Sequence, residues 1–188
     1  SVASEASIED DIKTTGAYAE AQYRPFEYVK ASAGYRHERH STFGTEDLYR
    51  VGLIGNPWAQ TTLKFSTGKH FRAPTPNDLF FPDDGFVAGN PDLQPETGYH
   101  TDFGIEQELL DGRIFLSATY FQWDVDDKIL FTPDSNGKFT PENLRTYKAK
   151  GAELGMSVNP VDQMTISLSY TYTDAEEESK AFTKQQFF

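Results

Sequence analysis

Residues 163–173 read QMTISLSYTYT. Met164, Ile166, Leu168, Tyr170 and Tyr172 alternate without a break with Thr165, Ser167, Ser169 and Thr171. A period of two gives a strand one apolar and one hydroxylated face. Wound as a helix, the same residues would scatter their apolar side chains round the whole axis. This stretch sets the fold class as all-β.

The alternation recurs back along the chain. Ala152, Leu154, Met156 and Val158 oppose Gly151, Glu153, Gly155 and Ser157. Ile114, Leu116, Ala118 and Tyr120 oppose Phe115, Ser117 and Thr119; Thr101, Phe103 and Ile105 oppose Asp102, Gly104 and Glu106. Leu63 and Phe65 oppose Lys64 and Ser66; Tyr49, Val51 and Leu53 oppose Arg50 and Gly52. Val29, Ala31, Ala33 and Tyr35 oppose Lys30, Ser32, Gly34 and Arg36; Ala17, Ala19, Ala21 and Tyr23 oppose Tyr18, Glu20 and Gln22. About eight antiparallel strands result, most near the ~9–11 residues that cross a bilayer on a tilt.

The faces opposite the apolar ones decide what kind of sheet this is. They carry Lys30, Arg36, Arg50, Lys64, Asp102, Glu106 and Glu153. Charges on a packed face are costly, whereas a wet barrel lumen accepts them. The apolar faces are rich in Ala, Thr and Tyr and poor in Ile and Leu, unlike the inside of a soluble sandwich. The reading is therefore a transmembrane β-barrel wall, with Lys64, Asp102, Glu106 and Glu153 facing the lumen. Mean hydropathy of −0.60 does not oppose it, because only alternate residues meet lipid. Phe, Tyr and Trp at 14% suit the aromatic girdles of such a wall.

Connections alternate in length. Residues 24–26, 56–59, 110–112 and 159–162 read as short turns rich in Pro, Gly, Asn and Asp. Residues 38–46, 71–96 and 132–145 read as long loops. Short turns on one rim and long loops on the other are the outer-membrane layout, and Trp58 in a short turn suits the interface. Acidic residues gather on the long-loop rim: Glu9, Asp10, Asp11, Glu46, Asp47, Asp78, Asp83, Asp84, Asp124, Asp126, Asp127, Asp174, Glu176, Glu177 and Glu178. They are read as a solvated rim, with a divalent cation bridging loops, or joining them to lipopolysaccharide, as the alternative.

Several classes are excluded. A net charge of −12 argues against nucleic acid. The absence of cysteine removes disulfides, thiolate metal sites and a Cys nucleophile. No run approaches a membrane helix, and residues 1–7 do not form a leader peptide, so the start is expected to be mature or truncated. No ordered Ser/His/Asp group or metal triad points to an enzyme. His37 and His40 lie on opposite strand faces and read as unligated surface residues. On pattern alone, a complete eight-stranded barrel with a structural or adhesive role is the leading reading, filled by its own side chains.

A further stretch changes that reading. Residues 63–80 read LKFSTGKHFRAPTPNDLF, residues 89–96 GNPDLQPE, residues 120–130 YFQWDVDDKIL and residues 147–155 YKAKGAELG. In this order and spacing they resemble the barrel of TonB-dependent receptors. The family pattern falls on Phe71, Arg72, Ala73 and Pro74, then on Asn90, Pro91, Asp92, Leu93, Pro95 and Glu96. The resemblance covers roughly residues 48–173. It implies that residues 1–188 are part of the C-terminal half of a barrel of about 22 strands, with short periplasmic turns, long extracellular loops and a plug domain that this chain lacks. Phe188 then reads as a truncation point, since Lys184 and Gln186 break the alternation before it.

The resemblance also implies localisation in the bacterial outer membrane, coupling to the TonB complex through an N-terminal part outside this chain, and contact with outer-membrane lipid and lipopolysaccharide. It implies active import of a scarce ligand, with no resident cofactor. A ferric siderophore leads, and cobalamin or haem are alternatives. Haem receptors of the family place a His between the two boxes, and residues 75–89 hold none. The candidate ligand contacts are Phe80, Phe81, Asp83, Asp84 and Phe86 on the longest loop, with Arg72 beneath. Aromatics pack on a planar or aryl chelate. Arg72, inward by parity with Phe71 outward, suits either a structural ion pair or an anionic ligand.

Overall fold

The computed structural model describes residues 12–143, 146–178 and 185–187. Eight long antiparallel strands, each joined to the next along the wall, form one sheet: β1 (Thr14–Phe26), β2 (Val29–His40), β3 (Gly44–Trp58), β4 (Thr61–Arg72), β5 (Glu96–Leu109), β6 (Ile114–Asp126), β9 (Thr146–Val161) and β10 (Met164–Glu178), with the short β11 (Gln185–Phe187) against β10. The helical turn α1 (Pro76–Phe80) and a hairpin of β7 (Ile129–Pro133) and β8 (Phe139–Asn143) stand at one end. Among the described residues β1 pairs with β2 alone, so the sheet is an open section of wall. An eight-stranded barrel closed on itself is not what these strands form.

Register confirms the parity. Tyr23, Ala31, Leu53, Phe65, Phe103, Tyr120, Ala152 and Tyr172 lie opposite one another in a single row. The apolar face is bare: Leu168 is 61% and Tyr170 62% exposed. No described helix is long and apolar enough to cross a membrane. Strands do it instead, because their backbone groups pair sideways. From Met164 to Tyr172 the apolar stripe covers about 27 Å of strand at ~3.3 Å per residue. On a tilt of ~40° that is roughly 20 Å of height, close to the ~25 Å apolar band of such walls.

The strands run 12–16 residues, longer than a crossing requires. Above the band, parity is kept but chemistry inverts. The outward rows become Thr101, Gln122, Lys150 and Asp174, then Tyr99, Asp124, Lys148 and Glu176. The inward rows become His100, Trp123 and Ala149, then Val125 and Tyr147. The upper strands have left the lipid, so water rather than hydrocarbon selects their outer face.

This extension corrects the loop assignments. Residues 38–46 are not a long loop: β2 and β3 stay paired from His40↔Gly44 downward, and only residues 41–43 turn. Residues 132–145 include most of a hairpin, with residues 144 and 145 outside the described residues. The acidic rim at Glu46, Asp47, Asp124, Asp126, Asp174, Glu176 and Glu177 lies on strand ends rather than loops. Glu9, Asp10, Asp11, Lys184, Phe188 and the side chains of Glu178 and Gln186 lie outside the described residues. The short turns fall where expected within a few residues, and Trp58, 69% exposed, ends β3.

Candidate functional site

The inner face has two levels. In the lower one Lys64 Nζ meets Glu106 Oε1 at 2.5 Å, and Asp102 accepts from Ser66 at 3.0 Å. Glu20 accepts from Tyr18 and from Gln22. Lys64, Asp102, Glu20 and Gln22, together with Lys30 and Arg50, line a hollow of about 460 Å³. Glu153 shares their face, opposite Thr119 and Thr171. The upper level is aromatic. Trp123 stands between His70 and His100, with ring centroids 5.6 and 5.5 Å away. The Lys128 ammonium lies 3.3 Å from the centre of the Tyr147 ring. His70, Trp123, Tyr147, Arg72 and Glu96 border a second hollow of about 450 Å³.

Arg72 closes that hollow from above. Its Nη1 meets Glu96 Oε1 at 2.5 Å, and Nη2 meets Asp78 Oδ2 at 3.5 Å. Both carboxylates are buried. Of the two roles open to Arg72, the geometry displays the ion pair. The family boxes thus join each other, Arg72 ending β4 and Glu96 opening β5. Between them Thr75 caps α1 in a reciprocal box with Asp78, and Pro76 fits the first turn, where no N–H is needed. Asn90 N–H donates to the Asp78 carbonyl. Gly89 passes so close to α1 that a Cβ would lie 2.5 Å from Phe81 N and 2.7 Å from Leu79 O.

A small core sits in this loop. Leu79, Leu93 and Ile129 are buried together, with Ile12, Phe43 and Phe80 packed against them. Leu93 is 1% exposed. Asn90 Nδ2 donates to Pro141 O at 3.0 Å, and Asn143 exchanges two hydrogen bonds of 2.8 Å with the backbone of Gln94. Ala88 N–H donates to Phe139 O, and Phe139 N–H to Phe86 O. The long loop and the β7–β8 hairpin are one cap.

The candidate contacts divide accordingly. Phe80 packs on the core. Asp83 pairs with Lys138 at 2.8 Å. That ammonium, with the Gly85 N–H, holds the Asp83 carboxyl below its usual range, and Asp83 raises Lys138 in turn. Asp84 accepts the N–H groups of Val87 and Phe86, which lower it likewise. Phe81 is 38% exposed, and Phe86 at 77% is the most open. His37 is hydrogen-bonded to Asp47 at 2.7 Å, but His40 is not a surface residue: it is buried in the β2–β3 turn, against the Phe43 ring, and accepts from the N–H groups of Thr42 and Phe43.

Sequence reasoning missed Phe131 and Phe139, exposed on the hairpin, and with them Lys138 and Asn143. The signal was Asn136-Gly137 between apolar runs, a hairpin mark. Gly137 takes φ +81°, and Asp134 accepts the N–H groups of Asn136 and Lys138. Trp123 was missed because it belongs to the inverted upper level.

A family model described as TonB dependent receptor-like, beta-barrel matches residues 3–187. The chain is 35% identical over 127 residues to the vitamin B12 transporter BtuB of Vibrio vulnificus (strain YJ016), covering 67% of this chain and 20% of that protein. It is 28% identical over 183 residues to an iron-regulated outer membrane virulence protein of Vibrio cholerae (serotype O1, strain O395), covering 88% and 28%. The crystal structure of the siderophore receptor PirA from Pseudomonas aeruginosa shares the fold, with TM-score 0.75 at 18% identity over 91% of this chain and 38% of that one. The chain thus spans 20% and 28% of the length of these two curated relatives.

Proposed function

The chain belongs to the TonB-dependent receptor β-barrel family, and on that premise we propose that the whole protein imports a metal chelate, first of all a ferric siderophore, across the outer membrane. The family is one of outer-membrane transporters and receptors, not of enzymes. Residues 1–188 are then a partial barrel domain, and the plug and the segment that meets the TonB complex belong to the rest of the protein. The observation that carries the reading is the cap. It holds Phe86, Phe131 and Phe139 open to solvent on a packed base, beside an inner hollow bordered by Trp123, Tyr147 and Lys128. Aromatic faces suit aryl or planar ligands, and cations suit their anionic oxygens. Import on this reading is binding followed by gating, with energy from the TonB complex.

A second reading, cobalamin, is favoured by the 35% identity to a vitamin B12 transporter. The test is uptake by cells that lack their own receptors and express the full-length protein. They are given radioiron on a catecholate siderophore or radiocobalt in cyanocobalamin, with and without TonB. TonB-dependent iron uptake, reduced by Phe86→Ala, is expected. Cobalt uptake alone replaces the first reading with the second. Uptake of neither overturns both.

A further inference from the structure

The charge pair between the family boxes does more than join two adjacent strands. Glu96 Oε1 accepts two hydrogen bonds: one from Arg72 Nη1 at 2.5 Å, and one from the backbone N–H of Ile129 at 2.8 Å. Ile129 is the first residue of β7. Two residues before it, Asp127, with a φ of +54°, turns the chain sharply out of β6. One buried carboxylate therefore touches β4, β5 and the hairpin, and through Arg72 it reaches Asp78 of α1.

The other hydrogen bonds described for the hairpin are of a different kind. Asn90, Gln94, Ala88, Phe86 and Asp83 bind it from the long loop, and Asn143 Nδ2 donates to the Asp127 carbonyl at 2.6 Å in the link between β6 and β7, so they tie one connecting segment to another. Such bonds fix the shape of the cap but not its placement on the wall. The hairpin has two strands of five residues, and an isolated hairpin is marginal in water. Lys128, just before β7, also reaches the wall, pairing with Glu177 at 3.5 Å and lying 3.3 Å from the centre of the Tyr147 ring, but part-exposed contacts of these kinds contribute little, about 1 kcal/mol or less each. The Glu96 bond is short and buried, and its acceptor is charged, the stronger class of hydrogen bond.

We propose that Glu96 is a positioning residue: its carboxylate locks the β7–β8 hairpin to the barrel wall, so that Phe86 on one loop and Phe131 and Phe139 on the other meet a ligand as one rigid surface. The role of Arg72 is to pair with that carboxylate and aim it, since a buried charge without a partner is costly. The ligand part of the inference rests on the proposed chelate import; the latch itself does not.

The test is amide hydrogen exchange on the full-length receptor in lipid nanodiscs. Three proteins are compared: wild type, Glu96→Ala, and the double charge reversal Arg72→Glu with Glu96→Arg. In Glu96→Ala, exchange across residues 129–143 rises about tenfold, the factor that goes with losing one hydrogen bond to a charged acceptor. Amides in residues 99–107 and 116–124 of the wall keep their protection. The reversal restores an ion pair between β4 and β5, sets a carboxylate against Asp78 that loosens residues 76–80, and leaves Ile129 N–H without its acceptor, so residues 129–143 stay loose. Three results each overturn the latch: unchanged exchange in Glu96→Ala, full recovery in the reversal, or loss of protection spread equally through the wall. Siderophore affinity measured on the same proteins is expected to fall about tenfold in Glu96→Ala. If no chelate binds even the wild type, the import reading fails while the exchange result still decides the latch.

Discussion

The wall and the cap use the same apolar residues in opposite ways. On the wall, Leu168 and Tyr170 are more than half exposed; in the cap, Leu93, Leu79 and Ile129 are shut away from solvent. The wall is held by backbone pairing and completed by lipid, which takes the place of a core. The cap rises above the lipid, so it must supply its own apolar interior, and it builds one from three buried side chains and their neighbours. Loss of protein packing therefore strikes the cap, while a misplaced charge strikes the wall.

The largest effect is expected at the cap core. Leu93→Ala removes the best-buried side chain and should weaken the cap by about 2–5 kcal/mol. It is read as faster amide exchange over residues 76–95 and 129–143, with wall amides unchanged. If the wall loosens to the same degree, the two regions are not separate. A similar effect, about 2–4 kcal/mol, is expected from Leu168→Arg in the middle of the apolar stripe, measured by reversible unfolding of the full-length barrel in lipid. Its neighbour Ser169→Arg points into the lumen and should stay within about 1 kcal/mol. Equal costs at the two positions would break the assignment of faces.

The smallest effect is a matter of pH. Asp83, Asp84 and Asp134 all have carboxyls lowered by backbone N–H groups, and Asp83 by Lys138 above all. A carboxyl lowered in the folded cap stabilises it fully above the unfolded value, about 3.9. That contribution is lost as pH falls through the lower folded values. Lys138 is raised, so its share is present below the unfolded lysine value, about 10.4, and is lost above it. A fluorophore on Asn136→Cys should report a constant hairpin mobility from about pH 5 to 9 and a rise below about pH 4. A transition near neutrality would show that other groups control the tip.

The features most legible in the sequence are those set locally. Lys64, Asp102, Glu106 and Glu153 share the inner face because side chains alternate along any strand, and the turns after Phe26, Trp58, Leu109 and Val161 follow from local turn chemistry. Strand ends were less legible. Asp124 and Trp123 belong above the lipid, where outward residues turn polar and inward ones aromatic, and a pattern tuned to lipid stops there. Phe80 was legible as an aromatic on a long loop, but not as part of a core formed with Leu93 and Ile129 from distant segments.

The sequence alone determined that this protein is an antiparallel outer-membrane wall, which face meets lipid, and which family its boxes resemble. Period-two alternation and turn residues act over a few positions, so no tertiary knowledge is needed to read them. The tertiary structure decided that Arg72 is engaged by Glu96 and Asp78, that residues 129–143 fold back as a hairpin, and that Glu96 reaches the Ile129 amide. Those outcomes depend on groups brought together from far apart in the chain by the curvature and register of the sheet, which no local pattern encodes.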